Sequence, residues 1–245
     1  MSSIVDINWP RISNILATTT SRVGGCSAPP FDGFNVGSHV ADNIQHVLQN
    51  RQLLSQLFKS GQPIQWLNQV HGADVVQVTE HQNTPITADA AFTKSTDVTL
   101  AILTADCLPI LLVNQQGTEI AAIHGGWKPL AADIIKNTLN KFTCKGTTVK
   151  AWLGPCIGKE AFEVGPEVKT KFAVLDKRLE SCFTKQPNDK YLADLHAIAR
   201  LLLTKESVQS IAALNDCTFT QADKYFSYRR DGQTGRMASL ISIQP

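Results

Sequence analysis

The feature that most constrains the fold is a series of short apolar segments spread along the chain. Each is rich in Ile, Leu and Val and is bounded by turn residues, which is typical of strands that are buried in a protein interior. We therefore expect a sheet that is largely covered by other elements. The predicted strands are Ile64–Leu67, Asp74–Val78, Leu100–Thr104, Leu108–Val113, Glu119–His124, Thr148–Leu153 and Met237–Ile243.

Helical patterns are mixed with these strands without strict alternation. A helix is predicted after Asp42, a plausible N-cap, because apolar residues then recur at helical spacing until Gly61. A second helix is predicted after Gly125-Gly126 and a third over Leu192–Thr204. Since no repeat or linker divides the chain, we expect one compact domain over residues 1–245. Its predicted class is α/β (mixed α+β), with a mixed sheet flanked by helices.

The composition is that of an ordinary globular protein. Of 245 residues, 43% are hydrophobic and 18% are charged, and the net charge is +2. No long basic run or acidic tail suggests a nucleic-acid or membrane partner, and nothing implies a protein partner. The N-terminus lacks a basic region followed by an apolar stretch, and the six cysteines contain no CxxC pair. We therefore expect a cytoplasmic protein with reduced thiols.

Three short segments each place a potential metal ligand at the edge of an apolar strand. The residues are His71, Cys107 and His124, and a glycine follows each histidine. Two imidazoles and one thiolate suit zinc and leave a fourth position open for water or substrate, which is typical of a catalytic site. From spacing alone, however, a buried core thiol beside two ordinary strand-end histidines is the commoner arrangement.

The ligand segments belong to a longer series of motifs that spans nearly the whole chain. The others are Thr20–Gly25, Phe31–Gly37, Trp152–Gly158, Phe162–Gly165, Asp189–Leu192, Phe226–Asp231 and Thr234–Ser239. In this order they resemble the YfiH-like family, whose members are labelled laccase-domain or multicopper polyphenol oxidase proteins and are also described as purine nucleoside phosphorylases. Cys156 departs from the small residue expected at its position.

The resemblance implies a zinc site in which His71, Cys107 and His124 are both metal ligands and catalytic residues, with copper as a less favoured metal. It also implies phosphorolysis of adenosine, inosine, guanosine and methylthioadenosine, and deamination of adenosine, so that a nucleoside and phosphate are the expected partners. For deamination, zinc would activate water for attack on C6 of adenine. The acid nearest in sequence, Asp106, is expected either to be structural or to support the ligands.

Phosphorolysis also requires groups that bind phosphate. The candidates are Arg22, Arg229 and Arg230, because a guanidinium offers phosphate a bidentate fork, although surface salt bridges are the commoner role of such arginines. The N–H groups of the turn Gly125-Gly126 are a further candidate anion site. Asn35 and His39 lie in a Gly-rich loop and are candidate substrate contacts, with stabilisation of the turn an equal alternative for His39.

Three other functions remain open. A cysteine hydrolase or amidase, for example one acting on peptidoglycan precursors, would use Cys107 as nucleophile and His124 as base. A copper-dependent polyphenol oxidase would need many more histidines than the six present, so at most one copper is expected at the three ligands, with Met237 as axial ligand. A non-catalytic, zinc-stabilised interaction protein is the third.

Overall fold

The computed structural model describes residues 3–7, 9, 12–58 and 60–245. In chain order, the strands of these residues are β1 (Ile4–Val5), β2 (Ile15–Thr20), β3 (Ile64–Gln65), β4 (Leu67–Asn68), β5 (Val75–Gln77), β6 (Ile86–Thr87), β7 (Ala90–Thr93), β8 (Thr99–Thr104), β9 (Leu108–Asn114), β10 (Ile120–Gly125), β11 (Val149–Leu153), β12 (Glu163–Val164), β13 (Phe183–Lys185), β14 (Tyr191–Ala193), β15 (Ser210–Ala213) and β16 (Met237–Ile243). The α-helices are α1 (Ile44–Phe58), α2 (Trp127–Ala131), α3 (Ile134–Leu139), α4 (Pro166–Leu175), α5 (Leu195–Lys205) and α6 (Tyr228–Asp231). Two 3₁₀ helices span Gly146–Thr148 and Lys177–Cys182.

Most strands belong to two mixed sheets. The first has five strands in the order β1-β2-β16-β8-β3, and the second has six in the order β15-β11-β9-β10-β7-β5. Neighbours are antiparallel except for the pairs β3–β8, β5–β7 and β11–β15. Strands β12, β14 and β13 form a small antiparallel sheet, and β4 pairs with β6.

The two large sheets pack face to face, and helices cover their outer surfaces. Side chains of β8 and β16 meet those of β9, β10 and β11 in a shared apolar layer. Helix α1 covers the outer face of the five-stranded sheet, whereas α2, α3, α4 and α5 cover the outer face of the six-stranded sheet. Because β8, β9, β10 and β16 are covered on both faces, they are buried along their whole length, which explains their near-continuous apolar sequences.

The predicted fold class is confirmed: the chain is a mixed α/β domain with several mixed sheets and helices. Most predicted strands lie within one or two residues of their observed ends, but Ile64–Leu67 is divided between two sheets. The helix predicted after Gly125-Gly126 is also divided, since Asp133 has a φ of 61° between α2 and α3. The turn Gly125-Gly126, expected to bind an anion through its N–H groups, therefore precedes a helix of only five residues, α2.

Helix α1 begins one residue later than predicted, and a different side chain caps it. Asn43 accepts a hydrogen bond from the Gln45 N–H at 2.9 Å, the contact that an N-cap makes. Asp42 instead accepts from the side chains of Ser27 and Asn35 at 2.6 and 2.8 Å. Among the described residues, no helix combines the length and apolar character needed to cross a bilayer.

Candidate functional site

Three predicted ligands meet where strands of the two large sheets end. Strand β8 ends at Thr104, and the chain then crosses from the five-stranded to the six-stranded sheet in a short segment that ends at Cys107. Because β9 and β10 are antiparallel with Pro109 opposite His124, the start of one strand lies beside the end of the other. His71 follows β4 and has a left-handed backbone, with a φ of 60°. The spatial meeting of the three residues agrees with the sequence prediction.

The three side chains have the donor set and spacing of a metal site. One ligand atom from each of His71, Cys107 and His124 lies within 4.8 Å of the other two. The Cys107 Sγ is 3.9 Å from the His71 Nε2, and the two imidazole rings are nearly perpendicular with centroids 4.6 Å apart. Among the described residues, this is the one group of three or more His, Cys, Asp or Glu side chains whose ligand atoms lie close enough together to hold an ion.

Asp89, which sequence reasoning did not identify, connects two of these ligands. Its fully buried carboxylate accepts hydrogen bonds from the backbone N–H groups of Val70, His71 and Gly72 at 3.2, 2.9 and 2.6 Å. It also bonds the His124 Nδ1 at 2.7 Å. With Nδ1 donating to Asp89, the His124 Nε2 is the nitrogen available to a metal. The sequence signal that could have identified Asp89 is its position as an isolated acidic residue directly before the apolar strand β7.

The charges of this group are strongly coupled. Burial alone would raise the pKa of the Cys107 thiol, but the charge of His124 and hydrogen bonds from both histidines lower it to about 6. Burial alone would lower the pKa of His124, but the Cys107 thiolate and the Asp89 hydrogen bond raise it to about 9. Without an ion, the site is therefore a thiolate facing an imidazolium, and a cation that bound there would displace the imidazolium proton.

Gly126 packs directly against the ligands, which leads to a first prediction. A Cβ at this position would lie 3.2 Å from the Cys107 Sγ and 3.3 Å from the His71 Cδ2, so a ligand would have to shift. Because metal sites tolerate distance errors of only about 0.2 Å, we expect Gly126→Ala to weaken binding of a metal ion at the three ligand residues about tenfold. Competition with a chromophoric chelator measures this change.

Gly72, which directly follows His71 in the sequence, is the matched control. A Cβ at Gly72 would be 3.5 Å or more from surrounding atoms, which is ordinary contact. We expect Gly72→Ala to bind the metal ion with the affinity of the wild type. Equal losses of affinity in the two variants would show that the close packing at Gly126 is unimportant.

Asp106 is a structural residue that holds the loop next to Cys107. Both carboxylate oxygens have partners, since Oδ1 accepts from the Thr218 hydroxyl and Oδ2 from the Arg229 backbone N–H, each at 2.6 Å. Its backbone has a φ of 88°, and its carbonyl accepts from the Ile157 N–H. Asp106 therefore connects the Cys107 segment to the C-terminal part of the chain. Of the two roles expected for Asp106 from the sequence, these contacts match the structural one.

The ligands lie in a cleft of about 600 Å³. Of the five predicted substrate-binding residues, His39 and Arg229 line it. Arg236 and Lys128 also line it but were not identified from the sequence, although Arg236 belongs to one of the matching motifs. Aromatic rings of Trp127, Phe162 and Tyr228 add apolar surface, and the Tyr228 side chain is unusually exposed at 61%.

Arg22 and Arg230, predicted to bind phosphate, lie outside the residues that line the cleft. Arg22 donates to the Asp32 carboxylate and the Ala222 carbonyl, both at 3.0 Å. Arg230 donates to both carboxylate oxygens of Asp231. It also donates to the backbone carbonyls of Thr218, Phe219 and Tyr225. Because protein acceptors already occupy these guanidinium groups, the placement of both arginines conflicts with the predicted role.

Asn35 also differs from its predicted role as a substrate contact. The side chain is fully buried, and its Oδ1 accepts from the backbone N–H groups of Gly37 and Arg236 at 2.9 and 2.8 Å. Its Nδ2 donates to Asp42 and to the Gly37 carbonyl. Asn35 therefore shapes the loop that leads to His39 and anchors the backbone of Arg236.

Met237, the candidate axial ligand of a copper site, is not among the residues that line the cleft. Its side chain is buried with Tyr225 and Phe226, and its Sδ accepts a hydrogen bond from the Phe226 N–H at 3.1 Å. The described residues therefore offer no thioether beside the three ligands. This arrangement differs from the blue-copper site considered from the sequence.

The sequence matches a family and named relatives over nearly its full length. The sequence profile of the family described as "Multi-copper polyphenol oxidoreductase laccase" matches residues 16–244. The chain is 42% identical to the Escherichia coli (strain K12) protein named purine nucleoside phosphorylase YfiH, over 98% of this chain and 99% of that protein. It is 37% identical to a Pseudomonas aeruginosa protein also named purine nucleoside phosphorylase, over 100% of both chains.

Two solved structures are similar to this chain over nearly its full length. A crystal structure of a Neisseria meningitidis protein of the DUF152 family superposes with a TM-score of 0.96 at 38% identity, covering 100% of both chains. YlmD from Geobacillus stearothermophilus superposes with a TM-score of 0.87 at 27% identity, covering 95% of this chain and 93% of that one. The similarity therefore extends over the cleft and both large sheets.

Proposed function

This chain belongs to the family described as multi-copper polyphenol oxidoreductase laccase, and we propose that it is a zinc-dependent purine nucleoside phosphorylase. The observation that carries the proposal is that candidate metal ligands, aromatic rings and cationic side chains line the same cleft. The ligand group His71, Cys107 and His124 shares the cleft with three aromatic rings and with the cations of Arg229, Arg236 and Lys128. A purine, a ribose and a phosphate are ligands that such a surface suits. The relatives named purine nucleoside phosphorylase support the same activity.

The donor set favours zinc over copper. Two imidazoles and a thiolate are common zinc ligands, and three protein ligands in a cleft leave a position open to substrate. The His124–Asp89 hydrogen bond is the supporting contact that zinc-binding histidines usually make. A blue-copper site would call for a nearby thioether, whereas the Sδ of Met237 is bonded to the Phe226 N–H. Zinc bound here would supply a Lewis acid to polarise a substrate atom.

Phosphorolysis requires that phosphate and nucleoside be held in line. An oxygen of hydrogen phosphate forms a bond to C1′ of the ribose while the C1′–N9 bond breaks, and the phosphate proton ends on the purine. The products are the free base and ribose 1-phosphate. In the cleft, the cations bind phosphate, and the rings of Trp127, Phe162 and Tyr228 offer apolar faces on which a purine stacks. Orientation of this kind can contribute several orders of magnitude to the rate.

The proposed substrates are adenosine, inosine, guanosine and methylthioadenosine, with adenosine deamination as a slower second reaction. Zinc deaminases use a carboxylate beside the metal as a proton shuttle. Asp106 is the carboxylate among the described residues that line this cleft, and both its oxygens already accept hydrogen bonds from the protein. Phosphorolysis needs no such shuttle, so we propose it as the principal reaction.

One observation favours a second candidate, a cysteine hydrolase. Cys107, His124 and Asp89 have the order of contacts found in a nucleophile–base–acid triad, with a thiol of lowered pKa at one end. Such a triad has no need of His71. Here the Asp89 carboxylate also binds the His71 N–H at 2.9 Å, and the His71 ring faces the Cys107 Sγ. A third ligand held in this way supports metal binding by the thiolate, which makes it a poor nucleophile.

The second prediction tests the proposed function directly. We expect zinc-loaded protein to convert adenosine and inosine to free base and ribose 1-phosphate only when phosphate is present. Removal of zinc by a chelator should abolish this reaction, and added zinc should restore it, because the three ligands lie in the substrate cleft. Liquid chromatography of nucleoside and base across a phosphate titration measures the reaction. Zinc-loaded protein that releases no base from any of the four nucleosides would refute the proposal.

Alkylation separates the second candidate from the first. In zinc-loaded protein we expect Cys107 to resist iodoacetamide, and in stripped protein we expect it to react rapidly at neutral pH, because its pKa is about 6 without a metal. The buried thiol of Cys156 should react in neither state, since burial raises its pKa. A protein isolated without zinc, with Cys107 already reactive, would instead support the hydrolase.

A further inference from the structure

One wall of the cleft carries basic side chains that form no ion pair with a carboxylate in the part of the chain that the structure describes. Arg236 and His39 line this wall, and Arg51 lies behind it. Charges of Arg236 and Arg51 act on His39, whose pKa is lowered by burial first and then by these two arginines. Among the ion pairs of the described residues, none includes Arg236, His39 or Arg51. Two arginines and a histidine whose pKa is lowered thus share one region without an ion-pair partner among the described residues.

Arg236 is the centre of this group. It is half-buried, and burial lowers the pKa of its guanidinium. Among the hydrogen bonds of the described residues, its Nη1 donates to the backbone carbonyls of Thr234 and Gly235, at 2.9 and 3.0 Å. The charges of Cys107 and Asp106 partly compensate the guanidinium, but among the described residues neither forms an ion pair with it, and a partly buried cation is more stable when a contacting anion completes the compensation. An anion bound in the cleft would provide that compensation.

The position of Arg236 is fixed by the loop that carries His39. Asn35 accepts from the Arg236 backbone N–H, and the Val36 N–H donates to the Arg236 carbonyl. The Arg236 side chain lies flat on Gly37, where a Cβ would be only 2.7 Å from the Arg236 Cγ and 2.9 Å from its Cβ. The loop and the arginine are therefore placed together, as the parts of a preorganised site are.

Arg51 holds the same loop from the other side. Its Nε donates to the Val36 carbonyl at 2.9 Å, and its Nη2 donates to the Ser38 hydroxyl at 3.3 Å. Its guanidinium stacks on the Trp66 ring, 4.0 Å from the centroid. Arg51 does not line the cleft, so it contributes charge and rigidity rather than direct contact.

The other arginines near the cleft are less suited to bind an anion there. Arg22 and Arg230 lie outside it and are paired with carboxylates. Arg229 lines the cleft, but its Nη1 donates to the Glu163 carbonyl at 3.0 Å and its guanidinium lies 5.3 Å from the centroid of the Phe162 ring.

We propose that Arg236 and His39 form the binding site for inorganic phosphate, with Arg236 as its principal contact. The inference rests on the proposed function only in the choice of phosphate as the anion. The guanidinium presents a bidentate fork to two phosphate oxygens, and the His39 ring donates to a third. Arg236 and His39 line the same cleft as His71, Cys107 and His124, so the bound phosphate lies beside the ligand group where a nucleoside would react.

The test measures phosphate binding without nucleoside. Inorganic phosphate is titrated into zinc-loaded protein by isothermal titration calorimetry, with sulfate as a competing tetrahedral anion. We expect Arg236→Gln to raise the Kd for phosphate about ten- to a hundredfold, the usual effect of losing a charge-assisted bidentate contact. Glutamine keeps the Cβ and Cγ that pack on Gly37, so zinc content and melting temperature should stay at wild-type values. Arg236→Lys should recover part of the affinity because it keeps the charge without the fork.

Two further variants separate a built site from general attraction by charge. Arg178→Gln removes one positive charge from an exposed pair with Asp176 and should bind phosphate as the wild type does. Gly37→Ala leaves the charge unchanged but places a methyl group against the Arg236 Cγ, so it should weaken phosphate binding. If Arg236→Gln and Gly37→Ala bound phosphate like the wild type, or if only Arg229→Gln weakened binding, the assignment would be wrong.

The outcomes also distinguish this inference from the proposed function. Phosphate binding that depends on Arg236, in a protein that releases no base from nucleosides, would support the site and refute the phosphorylase. Release of base with an unchanged KM for phosphate in Arg236→Gln would support the phosphorylase and refute the site.

Discussion

Cys107→Ser should lose zinc and nucleoside turnover together, and His71→Ala should do the same. A serine hydroxyl is a poor zinc ligand at neutral pH because it does not ionise as the Cys107 thiol does, with its pKa of about 6. Loss of a ligand should reduce zinc affinity by more than about a hundredfold, beyond the effect of losing a supporting hydrogen bond. Metal analysis after dialysis and the chromatographic assay for base release measure the two properties on the same samples.

The matched control for the thiol is Cys144→Ser. Cys144 is a half-buried free thiol that does not line the cleft, so its variant should keep both zinc and activity. His71→Ala carries the mechanistic information, because a Cys107–His124–Asp89 hydrolase would not require His71. A His71→Ala protein that had lost zinc but kept full turnover would show that the metal is not catalytic.

Asp89→Asn should weaken zinc binding about ten- to a hundredfold and should also destabilise the fold. The carboxylate accepts from three consecutive backbone N–H groups and from the His124 Nδ1. An amide replaces one of the two acceptor oxygens by an NH₂ group, so a buried donor would then face another donor. An unsatisfied buried donor costs about 1–3 kcal/mol, and we expect a loss of unfolding free energy in that range for the metal-free protein. Urea denaturation measures the stability, and chelator competition measures the metal affinity.

A spectroscopic measurement separates positioning from simple stabilisation. Nitrogen NMR of the His124 ring in metal-free protein should show a lower pKa in Asp89→Asn than in the wild type, because the carboxylate charge that favours the imidazolium is gone. Asp194→Asn is the control, since Asp194 caps helix α5 through the Ala197 N–H and asparagine caps equally well. If Asp89→Asn lowered stability but left the pKa of His124 and the zinc affinity unchanged, Asp89 would support only the fold.

Local sequence patterns were sufficient to predict the secondary structure near the candidate ligands. Strands such as Leu108–Asn114 and Met237–Ile243 are buried on both faces, so their apolar runs were visible in the sequence. His71, Cys107 and His124 were candidate ligands because each follows or ends such a run, whereas their assignment to a metal site came from the family resemblance. The division of Ile64–Leu67 between two sheets was not predictable, since the hydrogen-bond partners that decide it lie elsewhere in the chain.

The roles of polar residues depended on contacts between distant parts of the chain. Arg22 and Arg236 are both arginines in matching motifs, and nothing in their local sequences distinguishes them. The first is paired with Asp32 and the Ala222 carbonyl, whereas the second faces the cleft because Asn35, distant in sequence, holds its backbone. Asp89 was overlooked for the same reason, since its importance lies in bonds to His124 and to the His71 segment.

The sequence by itself determined the mixed α/β class and the buried strands, and it placed three candidate metal ligands near strand ends. These follow from hydrophobic periodicity and from residue types at strand ends, which are properties of short segments. Only the tertiary structure decided that two sheets pack face to face, that Asp89 orients His124, and that Arg236 with His39 faces the cleft. Such choices depend on which side chains find partners across long sequence separations, because a guanidinium or carboxylate bonds to whichever group the folded chain places beside it.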